Sequence, residues 1–306
     1  MKVQVTIPAT TANLGPGFDC LGLALDLTNT VTFTAVDATA VASTAVPLTI
    51  TATGEGAAEL PRDEGNLVLR AAERVFDVVG KRTANLHIHQ HNNIPVSSGL
   101  GSSAAAVLGG MLAANGLLGS PLSRDDVLQL AIEMEGHPDN VAPALYGGLV
   151  LSVRDAAGWH VEPIAMPLLQ VVYVLPDFDF PTAAARAALP TQVSLADAVF
   201  NAGRVGLLVR ALAAADYDLL AVAMQDRLHQ PYRIPLVPGL AGALAAARTA
   251  GAVGAAISGA GPSVVAFAAT GHEEIAAAIT AAFTEAGLTS RTWILPVAQH
   301  GADVCL

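Results

Sequence analysis

From Ala104 to Leu118 the chain reads Ala-Ala-Ala-Val-Leu-Gly-Gly-Met-Leu-Ala-Ala-Asn-Gly-Leu-Leu, without one charged side chain. A helix that is apolar all round offers water no face, so other elements must cover it. The stretch is too short for a membrane span, and Gly109, Gly110, Asn115 and Gly116 interrupt it. It reads as a buried helix. Immediately before it stands Pro95-Val96-Ser97-Ser98-Gly99-Leu100-Gly101-Ser102-Ser103, and this entrance decides what the helix is for. Two glycines let consecutive backbone N–H groups point inward, and a helix N-terminus adds its own free donors. A structural turn also uses glycine. Four hydroxyls clustered there exceed what a turn needs, so a phosphate site is the favoured reading. The Gly-Lys-Ser/Thr ending of a Walker loop is absent.

The balance of charge sharpens that reading. The formal net charge is −11, against the basic footprint of a nucleic-acid binder, and no nucleic-acid partner is expected. Lysine occurs only at Lys2 and Lys81, neither near the loop in sequence. Arginines, backbone amides or a metal must therefore hold any anionic ligand. Apolar residues make up 53 % of the 306 and charged residues 13 %, about half the usual charged share. At roughly 150 residues per domain the length suggests two domains with a sizeable core. The start, Met1 to Pro8, alternates as a strand and not as a targeting helix. Cys20 and Cys305 form no disulfide framework, so a cytoplasmic setting is expected, with no membrane partner. Cys20 beside Asp19 reads as a small buried side chain.

Along the chain the pattern predicts strand, glycine turn and strand over the first thirty-odd residues, then mixed turn and strand over 43–64. A helix is expected over Leu67–Val79, with Leu67, Ala71, Val75 and Val78 near one face and Gly80 ending it. In Leu86-His87-Ile88-His89-Gln90-His91 three histidines share one strand face. That arrangement can ligate zinc, but a polar solvent face is the favoured reading. Ser123-Arg124-Asp125-Asp126 is a capping box opening a helix with a Val127, Leu130, Ala131, Met134 stripe, which stops near Gly136. Short strands follow over 145–175, then helices near 182–188, 195–215 and 216–228. Strand, glycine turn and strand are expected over Gly251–Phe267, then a helix near 272–286 and a strand near 291–297. Strands mixed with helices in both halves make this an α+β or α/β chain. The boundary falls between 155 and 170, giving 1–163 and 164–306.

Several polar groups are candidates for chemistry. Asn13-Leu14-Gly15-Pro16-Gly17-Phe18-Asp19 is a turn that brings backbone close to a ligand, or only a turn. Glu133 and Glu135, two apart on a helix, point in different directions, so one metal does not use both. His137-Pro138-Asp139-Asn140 is a polar loop. Asn140 can orient a hydroxyl but is no base; Asp139 is a base or a brace. Arg186 and Arg233 suit a carboxylate, or surface ion pairs. Ser258-Gly259-Ala260-Gly261-Pro262-Ser263 packs on substrate, on the first loop, or is a hairpin.

Together these pieces resemble the homoserine kinases, within the galactokinase–homoserine kinase–mevalonate kinase–phosphomevalonate kinase superfamily. The motifs are Pro8–Asp19, Gly99–Ala105, Gly136–Ala144 and Ser258–Ser263, in that order. The Gly-His-Pro-Asp-Asn segment separates homoserine kinases from their relatives. The resemblance implies an α+β two-domain small-molecule kinase fold: an N-terminal ribosomal protein S5 domain 2-like domain that binds nucleotide and a ferredoxin-like C-terminal domain. It implies transfer of the γ-phosphate of ATP to the side-chain hydroxyl of L-homoserine, giving O-phospho-L-homoserine for threonine synthesis, with Mg2+. By the same resemblance Asn66 contacts the nucleotide. Pro95, Val96, Ser97, Ser98, Gly99, Leu100, Gly101, Ser102 and Ser103 wrap its phosphates. Ser103 (or Ser102) and Glu133 hold the metal. Asn13, Asp19, His137, Asp139, Asn140, Thr182, Arg186 and Arg233 form the substrate pocket, and Asn140, Glu133 and Ser103 are the catalytic set. A homodimer is one arrangement the family allows. In the His-Gln-Pro-Tyr-Arg stretch ending at Arg233, Gln230 replaces the family's glutamate. Mevalonate kinases carry an aspartate where this chain has Asn140. Two rivals stand beside this reading: another small-molecule kinase of the superfamily, and a non-catalytic relative.

Overall fold

The apolar helix is buried because layers close on it from several sides. The computed structural model describes residues 1–37, 48–156 and 158–306. In chain order the elements are β1 (Lys2–Asn13), β2 (Gly17–Asp37), β3 (Leu48–Gly54), α1 (Leu67–Val79), β4 (Ala84–Asn92), α2 (Ser102–Leu117), α3 (Arg124–Glu135), α4 (Val141–Tyr146), β5 (Leu149–Arg154), β6 (Trp159–Ile164) and β7 (Gln170–Pro176). There follow α5 (Thr182–Ala187), α6 (Leu195–Ala214), α7 (Tyr217–Ala223), α8 (Gln230–Arg233), α9 (Leu240–Thr249), β8 (Gly254–Ile257), β9 (Val264–Phe267), α10 (His272–Glu285), β10 (Ser290–Pro296) and β11 (Asp303–Cys305). Residues 43–47 of the segment expected to mix turn and strand lie outside the described residues.

The first sheet has the order β11-β1-β2-β4-β3, and β5 and β6 extend from the other end of the long β2. β3 and β4 are parallel, so the chain must cross over between them, and α1 is that crossover. α2 packs on β1 and β2 and against α1, α3 and α4. Its glycines allow this. A Cβ on Gly110 would run into the Val68 carbonyl oxygen of α1, and one on Gly109 would meet the Val31 side chain of β2. The same close approach turns α1. Val68, Leu69, Ala72 and Phe76 join Ala71 and Val75 in the core, whereas Val78, expected on the buried face, is 48 % exposed.

The second sheet is antiparallel with the order β10-β7-β9-β8. Counted within this half, the order is 4-1-3-2 with helices after the first and third strands, which is the ferredoxin-like arrangement. β11 leaves this half and pairs with β1, so the last residues return to the first sheet. The helix expected over 216–228 stops at Ala223. The Asp226 carboxylate accepts the backbone N–H groups of Leu228, His229 and Gln230, and α8 starts there. α4, α8, α9 and β11 lack a signal the pattern caught. α9 is too alanine-rich for its buried side, Leu240, Ala243, Leu244 and Ala247, to stand out. His87, His89 and His91 are exposed; Thr51 and Thr53 on β3 bond the Nδ1 atoms of His89 and His91 at 2.9 Å. Among the described residues no group of three His, Cys, Asp or Glu side chains is placed to hold a metal ion.

Candidate active site

The motifs Pro8–Asp19, Gly99–Ala105, Gly136–Ala144 and Ser258–Ser263 meet in one cleft of about 720 Å3 between the two sheets. One end is the entrance to α2. Gly101 precedes the helix with φ 69°, and a Cβ there would strike the Thr10 hydroxyl. The position therefore excludes other residues on both conformation and space. The first amides of α2 have no preceding turn to bond and open towards the cleft, as do the helix dipole's positive end and the Ser102 and Ser103 side chains. Val96, Ser97, Ser98 and Gly99 line the same end. Pro95 and Leu100 stand behind the loop. Leu100 is fully buried and its carbonyl accepts the Thr10 N–H, while the Pro95 carbonyl accepts the Ser98 hydroxyl at 2.7 Å. These two hold the loop and do not face the cavity. Asn66 borders the cleft, but its amide is occupied. Oδ1 caps α1 by accepting the Val68 and Leu69 N–H groups and also the Gln90 amide, and Nδ2 donates to the Pro61 carbonyl.

The metal-ligand expectation needs a correction. Glu133 points away from the cleft, its side chain 63 % exposed and paired with Arg74 at 3.0 Å. Two residues on, the helix has turned, and Glu135 faces the loop. Ser103 Oγ donates to Glu135 Oε1 at 2.5 Å. Burial pushes the Glu135 carboxyl above its ordinary pKa, opposed by the Ser103 hydrogen bond. A desolvated carboxylate beside a hydroxyl at the mouth of α2 is a hard-oxygen set of the kind that would suit Mg2+. The resemblance, carried over by motif, picked Glu133, whereas the helix phase from the Ser123 cap brings Glu135 to Ser103.

The other end carries the amino-acid-binding candidates. Asp19, with φ 57°, forms a bidentate ion pair with Arg186 of α5 at 2.9 and 3.0 Å. Thr182, the first residue of α5, lines the same wall. Asn13 binds the Asp19 N–H through Oδ1 and the Gly259 carbonyl through Nδ2, locking the first glycine turn to the Ser258–Ser263 turn. Arg233 is 2 % exposed. It donates to the carbonyls of Ala185 and Gly259 and to His229 Nδ1, and packs over the Phe18 ring. No carboxylate among the described residues lies within ion-pair distance of it. Burial, then Arg186, lowers its pKa. A buried cation without an anion is costly and invites one. His229 is itself held neutral by burial, and its Nε2 donates to the Gly15 carbonyl at 2.7 Å.

Between the two ends sits Asn140. Its Oδ1 accepts the Thr10 hydroxyl at 2.8 Å and its Nδ2 donates to Asp139. Asp139 is 3 % exposed and also binds His137 Nδ1 at 2.6 Å, which raises the His137 pKa. Asp139 is thus the brace of this loop. Cys20 is partly buried, its thiol pushed up to about 11 by burial and then by Asp139 and Asp19, as an inert side chain requires. Tyr173 is not singled out by the sequence, and Thr10, His229 and Ser258 stand in the quoted motifs without a role of their own. They read in sequence as ordinary strand or turn residues, and only the fold brings them to the loops they hold.

Comparison with known proteins agrees with the motifs. Models described as "GHMP kinases N terminal domain" and "GHMP kinases C terminal" match residues 66–148 and 208–287. A homoserine kinase of Moorella thermoacetica is 45 % identical over 301 residues, 98 % of this chain and 99 % of that protein. One from Synechococcus sp. is 46 % identical over 307 residues, 99 % and 98 % of the two. The crystal structure of homoserine kinase from Cytophaga hutchinsonii superposes with a TM-score of 0.87 at 35 % identity, covering 99 % of this chain and 97 % of that one. The L. major mevalonate kinase in complex with R-mevalonate has a TM-score of 0.72 at 20 % identity, over 95 % and 94 %, and shares the fold.

Proposed function

The chain belongs to the homoserine kinases of the GHMP kinase superfamily, and from that premise we propose how its cleft divides the work. The enzyme transfers the γ-phosphoryl group of ATP to the side-chain hydroxyl of L-homoserine, giving O-phospho-L-homoserine in threonine biosynthesis, and it uses Mg2+. The cleft-facing amides of 96–104, those of Gly99, Gly101 and the start of α2 foremost, bind the phosphates with the Ser102 and Ser103 hydroxyls. Ser103 and Glu135 hold the metal, which when bound neutralises charge on the transferring group. Arg233 and Arg186 take the substrate carboxylate, and Asp19, held in place by Asn13, takes its ammonium. A zwitterionic substrate thereby replaces the Asp19–Arg186 pair with two pairs of its own.

The observation that carries this reading is the place of Asn140. Its Oδ1 lies 3.2 Å from where a Cβ on Gly101 would stand, so a hydroxyl held there sits against the phosphate loop. Thr10 fixes the amide's orientation. Asparagine gains no proton near neutral pH. Catalysis therefore rests on alignment and electrostatic stabilisation, and the hydroxyl proton passes to a phosphate oxygen or to water.

Among the described residues no helix is long and apolar enough to cross a membrane. A cytoplasmic setting fits the two unpaired cysteines. The chain's halves, 1–163 and 164–306, are the two domains of this reading, with β11 returning to the first. A homodimer belongs to the same reading, supported by Leu195 and Val199 of α6, 80 % and 64 % exposed.

The test is a phosphorylation assay with MgATP and L-homoserine, L-threonine or mevalonate. Turnover is expected on L-homoserine and only weakly, or not at all, on the other two; preference for mevalonate contradicts the assignment of the arginine end. In the same assay Asn140→Asp is expected to bring no large gain, and a many-fold gain overturns base-free transfer.

A further inference from the structure

The phosphate loop is held from the far side. Ser98 and Gly99 belong to the first half of the chain, yet their carbonyls are gripped by the second. The Tyr173 hydroxyl, on the inner strand β7, donates to the Ser98 carbonyl at 2.6 Å, and the Ser263 hydroxyl donates to the same oxygen at 2.7 Å. Ser258 Oγ donates to the Gly99 carbonyl at 2.9 Å and also meets Thr11 Oγ1. Tyr173, Ser258 and Ser263 are each 0 % exposed, and so not in reach of substrate. Leu100, next in the loop, gives its carbonyl to the Thr10 N–H. Three successive carbonyls are thus drawn out of the cleft. In a peptide chain this leaves the amides of Gly99 and Gly101, which line the cleft, free to face the other way, while the Leu100 N–H is spent on Ser98 Oγ at 3.2 Å.

We propose that Tyr173, together with Ser263, is a positioning residue for phosphate binding: its hydroxyl sets the orientation of the 98–99 peptide, so that the loop's grip on ATP depends on docking of the second sheet. This rests on the reading of 96–104 as the phosphate site. Two donors on one oxygen make the effect non-additive. Loss of either hydroxyl leaves the other in place, whereas loss of both strands a buried carbonyl.

The experiment compares wild type with Tyr173→Phe, Ser263→Ala and the double variant. The readouts are KM for ATP, KM for L-homoserine and binding of an unreactive ATP analogue, at a temperature where circular dichroism shows all four folded. Each single variant is expected to raise KM for ATP by no more than about twofold and the double variant by about fiftyfold, well beyond the roughly fourfold of additivity, with KM for L-homoserine held within about twofold. The analogue's affinity should fall in step. A merely structural tyrosine lowers the melting temperature and leaves the ratio of the two KM values unchanged; that result, or additive single effects, overturns the proposal. A Ser102→Ala/Ser103→Ala control separates the two layers. If it abolishes analogue binding while Tyr173→Phe/Ser263→Ala leaves it intact, the phosphate site stands and the positioning role fails. If the control binds normally, the hydroxyls drop out and the amides alone carry the phosphate site; analogue phosphates found away from 99–104 in a crystal structure make the phosphate-site reading itself fail.

Discussion

Glu133 and Glu135 differ in fate because a helix advances about 100° per residue, so side chains two apart diverge. Glu133 meets solvent and Arg74; Glu135 meets Ser103. Glu135→Gln is therefore expected to lower kcat/KM by about 100-fold and to raise the Mg2+ concentration needed for half-maximal rate. Glu133→Gln is expected to stay within about twofold, since an exposed pair is worth little. Magnesium titrations of the two variants check this, and equal losses would return the metal role to Glu133. The candidate residues were legible in the sequence because they cluster in short motifs. Their orientation was not. Asn66 and Asn13 look like ligand contacts by type and position, yet their amides are spent on capping α1 and on tying Asp19 to Gly259. Sequence shows that a polar group is present, while only the fold shows which of its donors and acceptors remain free.

Elements with strong local signals stood where the pattern put them. The Leu67–Val79 helix, with Asn66 capping its start and Gly80 in the left-handed region ending it, is one case. The Ser123 capping box is another. Elements whose existence depends on tertiary contact were missed, such as the short α8 started by Asp226 and the three-residue β11 completed by β1. α2 joins the two classes. Its apolar content announced burial, but its glycines mark where it touches other backbone. Gly110→Ala drives a methyl into the Val68 carbonyl of α1 and is expected to destabilise by about 2–3 kcal/mol. A urea midpoint unchanged from wild type would show that α1 and α2 are not so closely packed.

The whole molecule is two sheets joined through buried polar bonds around the cleft, and this is where pH acts. The neutral His229 links the first glycine turn to α8 and Arg233. Burial holds its pKa below the ordinary value, so the unfolded chain takes up a proton that the fold refuses. The sign follows. Above about pH 6.5 both states are neutral and nothing changes; as pH falls below that, the fold loses stability. His229→Gln is expected to weaken the dependence of the urea midpoint between pH 7 and pH 5, and an unaltered slope would assign the dependence to other groups. Sequence could not disclose this network, because its members are scattered from Gly15 to Gly259.

The central claim is that backbone amides at the entrance to α2, without a lysine, hold the phosphates of ATP while the arginine end presents L-homoserine through Asn140. A crystal structure with an unreactive ATP analogue, Mg2+ and L-homoserine tests it most directly. The account predicts phosphates against the amides of 99–104, metal on Ser103 and Glu135, and the substrate carboxylate between Arg186 and Arg233. Phosphates bound away from that loop, or a substrate hydroxyl remote from Asn140, would contradict it.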